Sequence, residues 1–188
     1  MMEREAVDDD WHRCFIALVP DAATRDALAA LPIGAGARRV PLDQLHMTLA
    51  FLGSVAPKQG AALARDLSSV VAPLPRQRAE PSEYWPNAAH PRLVVVPFGA
   101  ENGLAGFEAR VRELLAGLGL PVDTHRPFRP HITLARFARS VRPARESVVG
   151  GAMLEATPRF DTLTLYSSTL ARHGARYRSL ACAAVPPA

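Results

Sequence analysis

Lysine is nearly missing from this chain: Lys58 stands alone among 22 basic residues, and the other 21 are arginine. Cysteine is also scarce. Cys14 and Cys182 lie near opposite ends, each inside an apolar run. Both read as small buried hydrophobes of a reducing compartment rather than as a disulfide framework, which points to a cytoplasm. Mean hydropathy is +0.02, yet no stretch approaches the roughly 18 consecutive apolar residues that a membrane span requires. The opening MMEREAVDDDW is acidic and has no apolar centre, so it does not read as a secretory signal. Residues 1–12 are expected to form a flexible extension, and residues 13–185 one bilobal domain. Neither HExxH nor a cluster of Cys and His occurs, so no metal and no other cofactor are expected.

What is present is a chain of 188 residues with 48% hydrophobic content, long enough for one sizeable core or two small lobes sharing a cleft. The net charge of +4 is unevenly spread. Residues 1–120 hold 12 basic and 14 acidic side chains, whereas residues 121–188 hold 10 and 4. A basic C-terminal third rich in arginine suits phosphate oxygens. A GC-rich coding sequence would also enrich arginine, so the charge alone assigns no partner.

Arg13–Val19 reads as a strand, and Asp21 can cap a helix running to about Leu31. Leu45–Leu52 reads as a second strand, followed by a helix from Pro57 to about Val71. Ala79–Trp85 suits an edge strand, because Pro81 cannot donate to a ladder. Arg92–Phe98 is a strand, Gly103–Leu118 an amphipathic helix, and His131–Phe137 a strand. Thr162–Ser168 and Tyr177–Val185 complete the set. Strand–helix–strand thus occurs twice, with Phe15 and His46 31 positions apart and Val94 and His131 37 apart. Such duplication predicts an α+β fold of two pseudo-symmetric, mainly antiparallel lobes with outer helices and a central cleft.

Two of these strands carry polar pairs, in QLHMTLAFLG and PHITLARF. Side chains at i and i+2 share a strand face, so His46 points with Thr48 and His131 with Thr133. Met47, Leu49 and Phe51 are expected to face a core, as are Ile132 and Leu134. A lone His-x-Thr on a strand is commonly an ordinary hydrogen-bonded core histidine. Six histidines and eight threonines in 188 residues would give about 0.26 such pairs by chance. Two occur, each followed by leucine, at matching places in the two halves. Should the strands meet, two imidazoles and two hydroxyls converge. An imidazole near its unperturbed pKa of about 6.5 can take a proton from water while a second gives one to a leaving oxygen. Hydroxyls can donate to the non-bridging oxygens of a phosphate.

The paired HxTL, together with FIALVP, VPLDQLHMTLAFLG, HPRLVVVPF, HRPFRPHITLAR and LTLYSSTLARHGARYRSLA, resembles the 2H phosphoesterase superfamily. The similarity is greatest to the RNA 2′,3′-cyclic phosphodiesterases, also called 2′-5′ RNA ligase-like proteins. The resemblance runs from Phe15 to about Ala183. It implies a bilobal fold and metal-independent hydrolysis of RNA 2′,3′-cyclic phosphate ends to 2′-phosphomonoesters, with 2′-5′ RNA ligation as a reverse reaction in vitro. It also implies His46 as proton donor, His131 as proton acceptor, Thr48 and Thr133 on phosphate oxygens, and Arg136 as a phosphate ligand. Strict alternation puts Arg136 on the face opposite His131, so that last role needs a bulge or a strand end. Relatives often carry a basic residue where this chain has Ala50 and an aromatic one where it has Arg39. Phe128 is either a base-stacking platform or a core residue. The implied partner is RNA ending in a cyclic phosphate, tRNA fragments among the candidates, acted on by a monomer away from membranes. Another small cyclic phosphate, such as a cyclic ADP-ribose phosphate or a cyclic nucleotide, is an alternative substrate. A non-catalytic module that binds RNA ends is an alternative class.

Overall fold

The computed structural model describes residues 11–123, 126–138, 151–171 and 174–188. Eight strands and three α-helices follow one another as β1 (Cys14–Pro20), α1 (Ala22–Ala30), β2 (Ala37–Arg39), β3 (Met47–Gly53), α2 (Pro57–Asp66), β4 (Glu83–Trp85), β5 (Leu93–Pro97), α3 (Leu104–Gly117), β6 (His131–Phe137), β7 (Phe160–Ala171) and β8 (Gly174–Ala184). All ladder pairings between these strands are antiparallel, so the architecture is α+β.

The strands join in the order β4-β5-β6-β3-β1-β7-β8, with β2 also paired to β6. Outward from the β6–β3 junction, the order repeats on both sides: a His-x-Thr strand, then the strand that precedes it across a helix. This is the two-fold pattern of the sequence. The two sets of four strands, β3-β1-β7-β8 and β4-β5-β6 with β2, touch through one ladder position, Met47 opposite Ile132. Beyond it β3 leaves β6, and β2 takes the vacated edge along Ala135–Phe137. The sheet therefore opens into a cleft on either side of that single pairing.

Alternation decides which face is core. Cys14, Ile16 and Leu18 of β1, Met47 and Leu49 of β3, Val94 and Val96 of β5, and Ile132 and Leu134 of β6 share one apolar cluster with Leu63, Leu67, Phe107 and Leu115 from the helical segments. Burying such side chains contributes about 1.5–3 kcal/mol each. β1 is buried along its whole length, which explains why it reads as a continuous apolar run rather than an alternating one. Asp21 caps α1 by accepting a hydrogen bond from the Thr24 amide at 2.8 Å.

Several details differ from the sequence reading. The expected edge strand Ala79–Trp85 is a strand only over Glu83–Trp85, with Ala79 in an isolated bridge to Phe98. The helix begun at Pro57 stays α-helical only to Asp66 and tightens to a 3₁₀ turn over Leu67–Val70. The β7–β8 hairpin is longer than expected, pairing out to Ala171 opposite Gly174. Cys182 is exposed, not buried, because β8 is the terminal strand of the order and lacks a neighbour on one edge; Cys14 is buried, and both thiols are free. Residues 1–10 of the expected extension lie outside the described residues. Trp11 accepts a hydrogen bond from the Val55 amide at 2.9 Å, and its indole lies flat on Gly60, where any Cβ would collide with the ring. No helix among the described residues is long and apolar enough to cross a membrane.

Candidate active site

The pairing of Met47 with Ile132 fixes what surrounds it. Extending that antiparallel register by one residue each way sets His46 opposite Thr133 and Thr48 opposite His131. Opposed residues share a face, so the four polar side chains form a rectangle on the face away from the core. The histidines occupy one diagonal, where residues stand about 7–8 Å apart. Convergence is thus achieved edge to edge at the centre of one sheet.

Each imidazole is held in the same way. His46 Nδ1 lies 2.7 Å from the Gln44 carbonyl oxygen, and His131 Nδ1 lies 2.7 Å from that of Arg129. A carbonyl only accepts, so each Nδ1 carries the proton and donates it. Nε2 is left in both rings as the atom free to take or give a proton. The identical bond to residue i−2 at both copies is the two-fold pattern expressed at atomic detail.

Their surroundings differ. His46 sits among Phe15, Tyr166 and Tyr177, at ring-centroid distances of 5.0, 6.3 and 5.3 Å. Burial, first of all, pushes its pKa down to about 4; the Gln44 carbonyl opposes this, while Arg136 and His131 add to it through their charge. His131 packs against Trp85, with centroids 4.5 Å apart, and the Arg129 guanidinium lies 4.2 Å from the centre of the same indole. Its pKa is also lowered, foremost by burial and then by the charges of Arg129 and Arg136, against the pull of the Arg129 carbonyl. Both rings are consequently neutral in the free cleft near pH 7, where the sequence reading expects one of each kind.

Bulges re-aim the residue five positions after each histidine. In β6 the register with β5 slips between Thr133 and Ala135, so Leu134 and Ala135 are both buried and Arg136 emerges exposed. Two consecutive inward residues shift the phase of alternation, bringing Arg136 to the face of His131 and Thr133. In β3 the register with β1 slips at Leu49, and Phe51 is 77% exposed. It stands opposite Phe15 rather than in the core, which corrects the sequence expectation for Phe51; the extra residue is the reason.

Two grooves flank the histidines. One, of about 610 Å³, is lined by Thr48, Phe51, Trp85, Arg126, Phe128, Arg129 and His131, with Glu108 and Asp123 among its other walls. Phe128 is half-buried: it packs against the core and lines this groove. The other, of about 820 Å³, runs beside Gln44 and Tyr177 and is lined by Arg38, Arg39, Arg136 and Arg176, with no carboxylate among the described residues of its lining. Among the described residues, no group of three or more His, Cys, Asp or Glu is arranged to hold a metal ion.

Every sequence-selected residue except Phe128 carries its polar group toward this central face, and Phe128 borders it. Sequence reasoning missed Phe15, Trp85, Tyr166 and Tyr177, which shape the imidazole environments. Tyr177 reaches His46 only because β7 and β8 pair with Ser168 opposite Tyr177, a relation with no local signal.

A family model described as the 2′-5′ RNA ligase superfamily matches residues 20–170. A Thermus thermophilus protein named RNA 2′,3′-cyclic phosphodiesterase is 38% identical over 108 residues, which cover 54% of this chain and 54% of that protein, about half its length. An Archaeoglobus fulgidus protein of the same name is 30% identical over 131 residues, covering 68% of this chain and 73% of the relative. The solved structure of E.coli LigT complexed with NADP+ superposes with a TM-score of 0.69 at 26% identity, covering 95% of this chain and 99% of that one.

Proposed function

Since this chain belongs to the 2′-5′ RNA ligase superfamily, we propose that it opens 2′,3′-cyclic phosphate ends of RNA by adding water, leaving a 2′-phosphomonoester and a free 3′-hydroxyl. One observation carries the reading: two imidazoles with matching Nδ1–carbonyl bonds at opposite corners of one small polar face. Displacement at phosphorus brings the nucleophile in on the side opposite the leaving oxygen. An acid and a base on a diagonal, with the phosphorus between them, meet that demand.

In the forward step His131 Nε2 takes a proton from water as its oxygen bonds to phosphorus. The P–O3′ bond breaks, and His46 Nε2 gives its proton to the departing O3′. Solvent then restores the pair. Thr48 and Thr133 donate hydrogen bonds to the non-bridging oxygens as negative charge grows there, and Arg136 offsets that charge. The assignment of acid and base follows the family resemblance. With both rings neutral in the free cleft, His46 takes up its proton from solvent as the substrate binds. The phosphodiester anion neutralises the field of Arg136 and makes an imidazolium beside it favourable.

The groove holding Phe51, Trp85 and Phe128 offers aromatic faces to a nucleobase, which stacks without readout of sequence. With the 5′-hydroxyl of a second RNA in place of water, the same displacement joins two ends through a 2′-5′ linkage. A reducing cytoplasm suits the two free thiols, and tRNA fragments are the substrates of first interest, with the chain acting as a monomer. Incubating the protein with an RNA ending in a 2′,3′-cyclic phosphate and identifying the product tests the reading. A 2′-phosphate is expected. A 3′-phosphate would mean that the leaving oxygen is misassigned, and recovery of intact substrate would refute hydrolysis.

A further inference from the structure

The groove on the His46 side collects more positive charge than one phosphate needs. Arg38 of β2 stands directly opposite Arg136 of β6. Like charges in opposed positions destabilise a sheet. Neither of them belongs to the ion pairs Arg65–Asp66 and Arg112–Glu108 found elsewhere among the described residues. Arg38 reaches from β2 to the tip of the β7–β8 hairpin: its guanidinium lies over Gly174, where a Cβ would come within 2.6 Å of Arg38 Nη2. Gly174 also has a φ of +126°, so no other residue leaves that space as freely. Arg176 lines the same groove from the hairpin side. Arg39 is already committed, donating to the Leu31 carbonyl at 2.8 Å. Arg136 acts on both histidines through its charge, so the cyclic phosphate claims it. Arg38 remains, about one cross-strand step of 5 Å beyond Arg136, with Arg176 on the hairpin wall of the same groove.

We propose that Arg38 and Arg176 bind a second phosphate of the substrate, the one on the 5′ oxygen of the nucleoside that carries the cyclic phosphate. The inference rests on the function proposed above and narrows it: the preferred substrate is the end of a chain, and a lone nucleoside cyclic phosphate is a poor one. The opposite groove sets Arg126 and Arg129 beside Asp123 and an Arg112–Glu108 ion pair, and its aromatic faces, Phe51, Trp85 and Phe128, are left to the base.

The test compares three substrates: adenosine 2′,3′-cyclic phosphate, its 5′-phosphorylated form, and ApA ending in the same cyclic phosphate. Wild-type protein is expected to turn over all three, with kcat/KM about ten- to a hundredfold higher for the two that carry a 5′ phosphate. Arg38→Ala and Arg176→Ala, singly and together, are expected to remove that advantage while leaving turnover of unphosphorylated adenosine cyclic phosphate unchanged. That substrate also reports whether each variant is folded. Equal kcat/KM for all three substrates, or an advantage that survives both substitutions, would overturn the inference and leave the hydrolase reading standing. A gain with ApA and none with the 5′-phosphorylated nucleoside would place recognition in the neighbouring nucleoside and also overturn it. No turnover of any substrate would refute the hydrolase reading itself, and this inference with it.

Discussion

His46 is neutral in the folded protein over a pH range in which it is charged in the unfolded chain, so acid should weaken the fold through this one residue. Its pKa falls from 6.5 to about 4 on folding, chiefly because Phe15, Tyr166 and Tyr177 exclude water from the ring. Between those two values the unfolded state binds a proton that the native state refuses, so stability rises with pH across that window. The contribution is complete above pH 6.5 and is lost progressively as pH falls toward 4. A shift of about 2.5 units corresponds to about 3 kcal/mol, a large share of the 5–15 kcal/mol typical of a domain. Urea unfolding at intervals from pH 4.5 to 7.5 measures this directly when wild type is compared with His46→Gln. The wild-type curve should climb more steeply across the window, and the difference should vanish above pH 7. NMR titration of the ring in the folded protein should give a midpoint well below 6.5. A midpoint at or above 6.5, or parallel stability curves, would refute the claim that burial keeps this imidazole neutral.

Arg136 lowers both histidines through its charge. Arg136→Gln should therefore raise both titrations and move the bell-shaped pH profile of kcat/KM upward, while reducing its maximum about a hundredfold. In the wild type the same bell should centre below pH 6.5, because the free protein must carry one proton on a pair whose pKa values are both lowered. Thr48→Val and Thr133→Val each remove a donor to a charged oxygen and should each lower kcat about ten- to a hundredfold, with little change in KM. Phe107, fully buried in the shared core, acts on the fold alone: Phe107→Ala should cost about 3–5 kcal/mol in chemical denaturation and leave the pH profile of surviving enzyme in place.

The frame of the molecule was legible because period-2 alternation and breakers are local. Asp21 before an apolar helix, Pro57 in a first turn and the His-x-Thr strands all follow from near neighbours. The site was legible for an additional reason, since the same short pattern occurs twice and only convergence gives the repetition a purpose. The positions of the bulges were not readable, although the role implied for Arg136 required a bulge or a strand end. Nothing near Leu49 or Leu134 announces an extra residue, because a bulge is a property of the pairing, and each one reverses the face of everything beyond it. That is why strict alternation puts Phe51 in the core and Arg136 on the face opposite His131, whereas the paired strands turn both outward to the histidine face. The aromatic walls around the imidazoles were hidden for a similar reason: Phe15, Tyr166 and Tyr177 meet only through β1–β7 and β7–β8 pairings.

The most direct measurement takes His46→Ala and His131→Ala singly, with an RNA ending in a 2′,3′-cyclic phosphate, and records hydrolysis beside binding. If the two rings flank one phosphorus, each substitution alone removes a proton transfer worth about 10²–10⁴ in rate, and RNA still binds. Hydrolysis at the wild-type rate in either variant would contradict the account.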